Sequence, residues 1–368
     1  MTTDPDQMEF APLPELIQLP ERPRRFLVDV DRFLEVGAAR DQFEVSGQGL
    51  AVAVIDSGLR ADHLDFAGKV LAQRNFTTAN GRDPDNAADE NGHGTHVGGI
   101  IVAGGAVHTG IAPGAGIVPI KVHPGPFSMI ADALQWLIDN QAALHITAVN
   151  ISMSDGGNHL DDFRYARHRY RKLIKTLRGR RVPVVVAAGN HYFTHKSKQG
   201  MAFPAILREC VSVGAVYDKD VGPMSYRAGA KAHSSCAGQI TPFSQRLHPS
   251  VNRLAYTDVF APGSKVTSSG IQTEEGFTID KEGTSQAAPV TTGIILLMQE
   301  YHLRHTGELP RVIDLVRWLR RGGVKIHDCD DENDNVEHTG RDFIRVHAPT
   351  ALEAMRRELI KKRIIPAG

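Results

Sequence analysis

What most constrains this chain is an alternation. From Gly49 onward, short apolar, β-branched runs take turns with stretches of helical periodicity. The runs fall at 50–55, 117–122, 146–151, 182–187, 211–215 and 257–260, and the helical patterns at 93–104, 127–141, 161–178, 285–301 and 310–320. A run such as Val182-Pro183-Val184-Val185-Val186 is apolar at every position rather than every second one, the pattern of a strand buried on both faces. Strands of that kind separated by helices predict an α/β fold, with a mostly parallel central sheet and helices on both faces. A length of 368 residues admits one large domain or two smaller ones.

Composition removes several classes of function. Lys plus Arg and Asp plus Glu are both 42, so no general attraction to nucleic acid or to acidic lipid follows. No apolar run approaches the ~18 residues of a membrane span. Met1 to Pro14 is acidic and proline-containing, without the basic-then-apolar order of a signal peptide, and the expected location is cytoplasmic. The 3 cysteines, Cys210, Cys236 and Cys329, form no CxxC pair, so reduced thiols are expected rather than a disulfide framework or zinc site.

Chemistry-bearing residues follow the elements. Ala51-Val52-Ala53-Val54-Ile55 ends in Asp56-Ser57-Gly58, a strand delivering a carboxylate at its C-terminal end. Asn91-Gly92-His93-Gly94-Thr95-His96 opens a small-residue helix with a histidine. Ala187-Ala188-Gly189-Asn190 follows the valine-rich strand, and Gly283-Thr284-Ser285-Gln286-Ala287-Ala288-Pro289 leads a serine into an apolar helix. Alone, such a serine is more often a helix cap than a nucleophile, and an asparagine in a loop is usually a turn residue. Together they are in the order Asp56, His93, Ser285, one of three chain orders in which a Ser–His–Asp constellation recurs.

Through the stretches around Asp56, His93, Asn190 and Ser285, the chain resembles the subtilisin-like serine proteases (subtilases), over roughly residues 46 to 355. The resemblance implies a serine endopeptidase with a subtilisin-like fold, working through an acyl-enzyme. Ser285 is then the nucleophile, His93 the base and later the acid, and Asp56 the group that orients the imidazole. Asn190 donates to the oxyanion together with the Ser285 backbone N–H. His96 is expected to support packing or hydrogen bonding, and Asp89 and Glu90 receive no catalytic part. Polypeptide substrate is expected as an added extended strand, along Ser152, Met153 and Ser154 on one side of the P1 pocket and Ala187, Ala188 and Gly189 on the other. General turnover and dedicated precursor processing are both open. The alternative is a catalytically silent binding or scaffold protein that keeps the fold, and an esterase using the same machinery is a third reading.

Departures from the family pattern carry expectations of their own. Ser154-Asp155 stands where relatives often have a glycine pair, and His191, His195, Lys196 and Lys198 follow Asn190, which leans toward polar or acidic P1 side chains. Gln286 replaces a methionine common in the family, removing an oxidisable thioether. The loop at 103–110 lacks the carboxylate of a family calcium site, and the run Asp328, Asp330, Asp331, Glu332, Asp334, Glu337 lacks EF-hand spacing and is read as a solvated loop. No cofactor is expected for the chemistry, no metal ligand is assigned, and structural calcium is left open.

Residues 1–45 read as an N-terminal extension with little periodicity apart from Phe26 to Val30 and the short stretch after it. Leu16 to Pro20 is read either as a segment lying across the active site or as a surface wrapping, and Arg22 to Arg25 as a cleavage site or a solvated cluster. Residues 46–368 are the catalytic domain, with an insertion at 221–248. The helix predicted at 161–178 is read as a solvated basic face (Arg164, Arg167, Arg169, Arg171, Lys172, Lys175, Arg178) over a buried stripe of Phe163, Ala166, Tyr170, Leu173, Ile174 and Leu177.

Overall fold

Continuous burial along the central strands decides the architecture. The structure, a computed structural model, describes residues 27–105, 109–272, 276–329 and 333–366. Its strands are β1 (Ala51–Asp56), β2 (Arg74–Asn75), β3 (Gly116–Lys121), β4 (Ile146–Ile151), β5 (Val184–Ala187), β6 (Val211–Val216), β7 (Met224–Ser225), β8 (Lys231–Ala232), β9 (Val259–Pro262), β10 (Val266–Ser269), β11 (Thr278–Lys281), β12 (Val324–Asp328) and β13 (Arg341–Arg345). The helices are α1 (Val28–Leu34), α2 (Val36–Phe43), α3 (His93–Val102), α4 (Met129–Asn140), α5 (Arg169–Gly179), α6 (Thr284–Thr306), α7 (Val312–Arg321) and α8 (Ala348–Lys361).

Nine strands form one sheet in the order β12-β13-β9-β6-β5-β4-β1-β3-β2. All its pairs are parallel except β12 with β13. Along β1, Val52 and Val54 join the core under α3 and α6, while Ala51, Ala53 and Ile55 join the core under α4 and α5. Both faces are covered, as the continuous apolar runs predicted. Chain direction across the sheet reverses around β1, which sits between β3 and β4. In open α/β sheets, ligands bind outside the carboxyl ends of the strands at such a reversal. Asp56, Ser152 and Asn190 all lie at those ends, of β1, β4 and β5 respectively.

Four regions differ from the sequence reading. Helix α5 starts at Arg169, preceded by a 3₁₀ turn at Phe163–Tyr165. The cause is Asp162, which has no exposure and takes Arg208 Nε at 2.7 Å and Arg171 at 3.2 Å, holding the chain out of helix until His168 caps α5. The stripe therefore slips: Phe163 is 66% exposed and Tyr165 is buried in its place. Arg171 is buried against Glu209 instead of solvated.

The other three differences concern the margins. Residues 28–43 form α1 and α2, whose Val30, Leu34, Val36, Ala39 and Phe43 belong to the main core, so this part of the extension is packed structure. Leu16 to Pro20 and Arg22 to Arg25 lie outside the described residues. Segment 221–248 carries the β7–β8 hairpin in its first half, but Phe243 to Leu247 are buried. Finally, β12 and β13 form an antiparallel edge beyond the last strand anticipated.

Candidate active site

A carboxylate, an imidazole and their supports come from three elements. Asp56 ends β1, and His93 opens α3; neither is exposed. His93 Nδ1 lies 2.7 Å from Asp56 Oδ1, which also accepts the Ser57 N–H at 2.7 Å. Helix α3 comes this close because position 94 is glycine: a Cβ there would collide with the Gly58 carbonyl and stand 3.2 Å from Asp56 Cβ. His93 Nε2 and Asp56 Oδ2 are buried without partners.

The start of α3 is held by Asp89, a residue the sequence reading left without a part. Its Oδ1 accepts from Asn91 N, Gly92 N and Ser57 Oγ, and its Oδ2 from Thr95 N and Thr95 Oγ1, all within 3.0 Å. Ser57 Oγ in turn accepts the Gly94 N–H at 2.9 Å. Burial alone would raise the Asp89 pKa, but the bonds from Thr95, Gly92 and Asn91 hold it below the usual carboxylate value. An acid four positions before the helix start was the available signal, a variant of N-terminal capping. Buried Lys121, at the end of β3, donates to Ser57 O at 3.0 Å and Ala88 O at 2.8 Å, fixing the same corner.

Ser285 sits in the first turn of α6, 5% exposed. Pro289 lies four residues later in the helix and has no N–H, so the Ser285 carbonyl loses its helical donor. Ser152 Oγ supplies one instead, at 2.8 Å. Ser285 Oγ answers by donating to Ser152 O at 2.9 Å. Asn150 Nδ2 bonds Ser152 Oγ, and Asn150 Oδ1 accepts from Thr292 Oγ1, so β4 and α6 are tied side by side. In this resting arrangement the hydroxyl bonds a carbonyl rather than His93.

Asn190 follows β5. Its Oδ1 accepts both Thr284 N and Thr284 Oγ1 at 2.8 Å, which fixes the amide and leaves Nδ2 unbonded among the described residues. The Gln286 N–H bonds Gly283 O at 3.0 Å. In the first helical turn the Ser285 N–H has no intrahelical acceptor.

The two walls anticipated for substrate differ. Ala188 N bonds Val213 O, and Ala188 O accepts from Ala202 N. Gly189 N donates to Thr284 Oγ1, and Gly189 O accepts from Gln245 N. The N–H and C=O groups of Ala188 and Gly189 thus already have partners within the fold, which on this side favours a wall of the pocket over a ladder to an added strand. Gln245, from the 221–248 segment, backs that wall and donates to Gly157 O at 2.9 Å. On the facing side Ser152, Met153 and Ser154 are at most 9% exposed. Asp155 does not point free charge into the site, since Oδ1 accepts Gly157 N and Phe203 N and Oδ2 meets His159 Nε2 at 3.1 Å.

Neighbouring titratable groups are structural. His96 has no exposure and its Nε2 bridges Val266 O and Ile279 O, pinning α3 to the β10–β11 ribbon. Burial first, then the nearby Lys281 and His93, push its pKa well below the ordinary histidine value. Buried Lys281 is lowered by desolvation, opposed by Asp89 and Asp56. Among the described residues, no group of three or more His, Cys, Asp or Glu is arranged to hold a metal ion. Of the acidic run, Asp328 is consumed by Arg246, His338 and Thr339, and Asp330, Asp331 and Glu332 lie outside the described residues. No described helix is long and apolar enough to cross a membrane.

Known proteins resemble this chain over the same region. The model of the subtilase family matches residues 47–311. The chain is 29% identical over 266 residues to the major intracellular serine protease of Bacillus subtilis (strain 168), covering 70% of each protein. It is 28% identical to the intracellular serine protease of Paenibacillus polymyxa over 70% of this chain and 68% of that one. An extracellular serine proteinase of Thermus sp. (strain Rt41A) is 29% identical over 72% of this chain and 53% of its own length. The matched region contains β1, α3, the Asn190 turn and the start of α6. This chain therefore belongs to the subtilase family and is a serine-type endopeptidase.

Proposed function

We propose that the enzyme hydrolyses peptide bonds through Asp56, His93 and Ser285 by way of an acyl-enzyme. The reading rests most on the 2.7 Å contact of His93 Nδ1 with Asp56 in a solvent-free corner, with Nε2 unpartnered and able to take a proton. Rotation about χ1 carries Ser285 Oγ from the Ser152 carbonyl toward that nitrogen. The hydroxyl proton passes to Nε2 as Oγ attacks the scissile carbonyl carbon, and Asp56 stabilises the imidazolium without taking its proton. The oxyanion receives Asn190 Nδ2–H and Ser285 N–H. As the C–N bond breaks, His93 returns the proton to the leaving amine, and water repeats the sequence on the ester. The Ser152 carbonyl, released by the serine's rotation, accepts a substrate N–H, so the polypeptide lies extended along Ser152–Ser154.

The biological setting belongs to the same proposal. A net charge of zero and the 221–248 segment backing one wall of the site favour action on a dedicated precursor over general turnover. The Bacillus and Paenibacillus relatives are named intracellular, which favours an intracellular site of action. The decisive experiment is labelling with a serine-directed fluorophosphonate. Labelling that disappears in Ser285→Ala is expected; an unlabelled wild type, with or without residues 1–26, overturns the mechanism.

A further inference from the structure

The residue after the serine has an environment that packing does not explain. Gln286 has no solvent exposure, yet neither Nε2 nor Oε1 has a hydrogen-bond partner among the described residues. An uncompensated buried amide is costly, and a native structure that keeps one has a use for it. An apolar side chain of the same length would fill the volume without that penalty.

The position of the amide supplies the use. Gly283 has φ 141°, and a Cβ built on it would lie 3.0 Å from Asn190 Nδ2, 3.5 Å from Ser285 N and 3.2 Å from Gln286 Oε1. These three polar atoms therefore border the same side of Gly283, beside the nucleophile, and two of them are the donors assigned above to the oxyanion. Asn190 has its amide orientation fixed by Thr284. Gln286 has no such tether, so turning its amide by 180° about χ3 breaks no bond and turns an N–H donor toward that side in place of the carbonyl oxygen.

We propose that the Gln286 side-chain amide is a third donor to the oxyanion, acting beside Asn190 and the Ser285 N–H. The inference rests on the hydrolytic reading of the site. In the resting enzyme the amide has nothing to bond; when negative charge develops on the carbonyl oxygen, the amide turns and donates. Gln286 is then a catalytic residue whose contribution appears only in the transition state, so it raises kcat and leaves KM nearly unchanged.

The test uses the full chain, with rates expressed per fluorophosphonate-titrated site. Gln286→Met keeps length and volume but removes the donor. Its kcat on a tetrapeptide anilide is expected to fall 10- to 100-fold with KM within twofold. The Ki of the tetrapeptide aldehyde of the same sequence, which forms a tetrahedral adduct with the serine, should rise by the same factor. Gln286→Glu should fall further than Gln286→Met, because a carboxylate repels the oxyanion. If kcat and the aldehyde Ki of Gln286→Met stay within twofold of wild type, or kcat falls while the aldehyde Ki does not move, the inference is overturned. Should Gln286→Met fail to fold, Gln286→Ala is judged by the same pair of constants. A wild type that fluorophosphonate leaves unlabelled sinks the hydrolytic reading itself; a labelled wild type with an indifferent Gln286→Met sinks only this donor.

Discussion

Asp56 and Asp328 both have no solvent exposure, and they are held in opposite ways. Asp56 bonds through Oδ1 to His93 and to the Ser57 N–H, and its Oδ2 is left without a partner. Asp328 is bonded through both oxygens, Oδ2 to Arg246 Nε and Thr339 N at 2.9 Å each, and Oδ1 to His338 at 3.3 Å. Arg246 itself is 1% exposed, donates to Ser244 O and stacks 3.6 Å over the Tyr192 ring. A guanidinium is charged at every working pH, whereas an imidazole changes its charge within the range proteins use. Asp56 therefore has an imidazole as its only side-chain partner among the described residues, whereas Asp328 has the fixed charge of Arg246 at 2.9 Å, with the His338 imidazole a longer second contact. In the mechanism proposed above the first serves the reaction, and the second ties β12 to segment 221–248.

That contrast predicts a double dissociation. Asp56→Asn should lower kcat on the order of 10⁴-fold, the size found when the orienting carboxylate of such a triad is neutralised, or about 5 kcal/mol of barrier. Its urea midpoint should stay near that of wild type. Asp328→Asn leaves Arg246 buried without its counter-charge and should cost about 3–5 kcal/mol in urea unfolding, with kcat per folded molecule unchanged. A stable Asp328→Asn, or one whose kcat falls while the protein stays folded, would remove the distinction.

The same contrast marks what could be read from the sequence. Asp56, His93, Asn190 and Ser285 were legible as candidates because each ends, follows or opens an element with its own local pattern, and β4 falls at 146–151 as anticipated. Asp89 has local partners in Asn91, Gly92 and Thr95 that its sequence position could have suggested, and was missed because what links it to Asp56 is Ser57, a partner 32 residues away just after β1. Asp328 read as a solvated acid because Arg246 is 82 positions distant, and β12 was hidden by a burial pattern with one exposed residue after another. The start of α5 moved for a related reason, the non-local pairing of Asp162 with Arg208. At Ala188 and Gly189 the sequence could not show that the backbone groups already have partners within the fold.

Smaller effects sharpen the comparison. Asn190→Ala removes Nδ2–H and should lower kcat about 10²- to 10³-fold with little change in KM. A third acid, Glu282, tests the opposite sign of pH dependence. Burial raises its carboxyl to about 7, with Lys265 only partly opposing. The folded state therefore holds this proton more tightly than the unfolded chain, and stability should fall as pH rises from the ordinary glutamate range through about 7. Asp328 behaves the other way. Burial would raise its pKa, but Arg246, His338 and Thr339 bring it well below the usual range, so its stabilisation is present above about pH 4 and lost as the solution is made more acidic. Glu282→Gln should flatten the alkaline slope and stabilise the protein by roughly 1–3 kcal/mol at pH 8, with no gain at pH 4. Equal shifts at both pH values would contradict the assignment.

The smallest expected effect is an absence of change, and a reversal makes it testable. Gln286 carries no sulfur, so mild peroxide has no thioether to convert next to the nucleophile. The methionine lining the site, Met153, is 3% exposed and shielded from reagent. Cys210 is buried and its thiol pKa is raised well above the ordinary value, chiefly by desolvation, so little thiolate is available there. Exposed Cys236 can oxidise without touching the triad. Wild-type activity should therefore survive peroxide while Cys236 is modified. Gln286→Met, whatever activity it retains, should lose most of that remainder over the same exposure, because a sulfoxide there is bulkier and polar. If wild type is inactivated as fast as Gln286→Met, and mass spectrometry finds no thiol modified, the oxidisable group is elsewhere and position 286 is not what sets the enzyme's sensitivity.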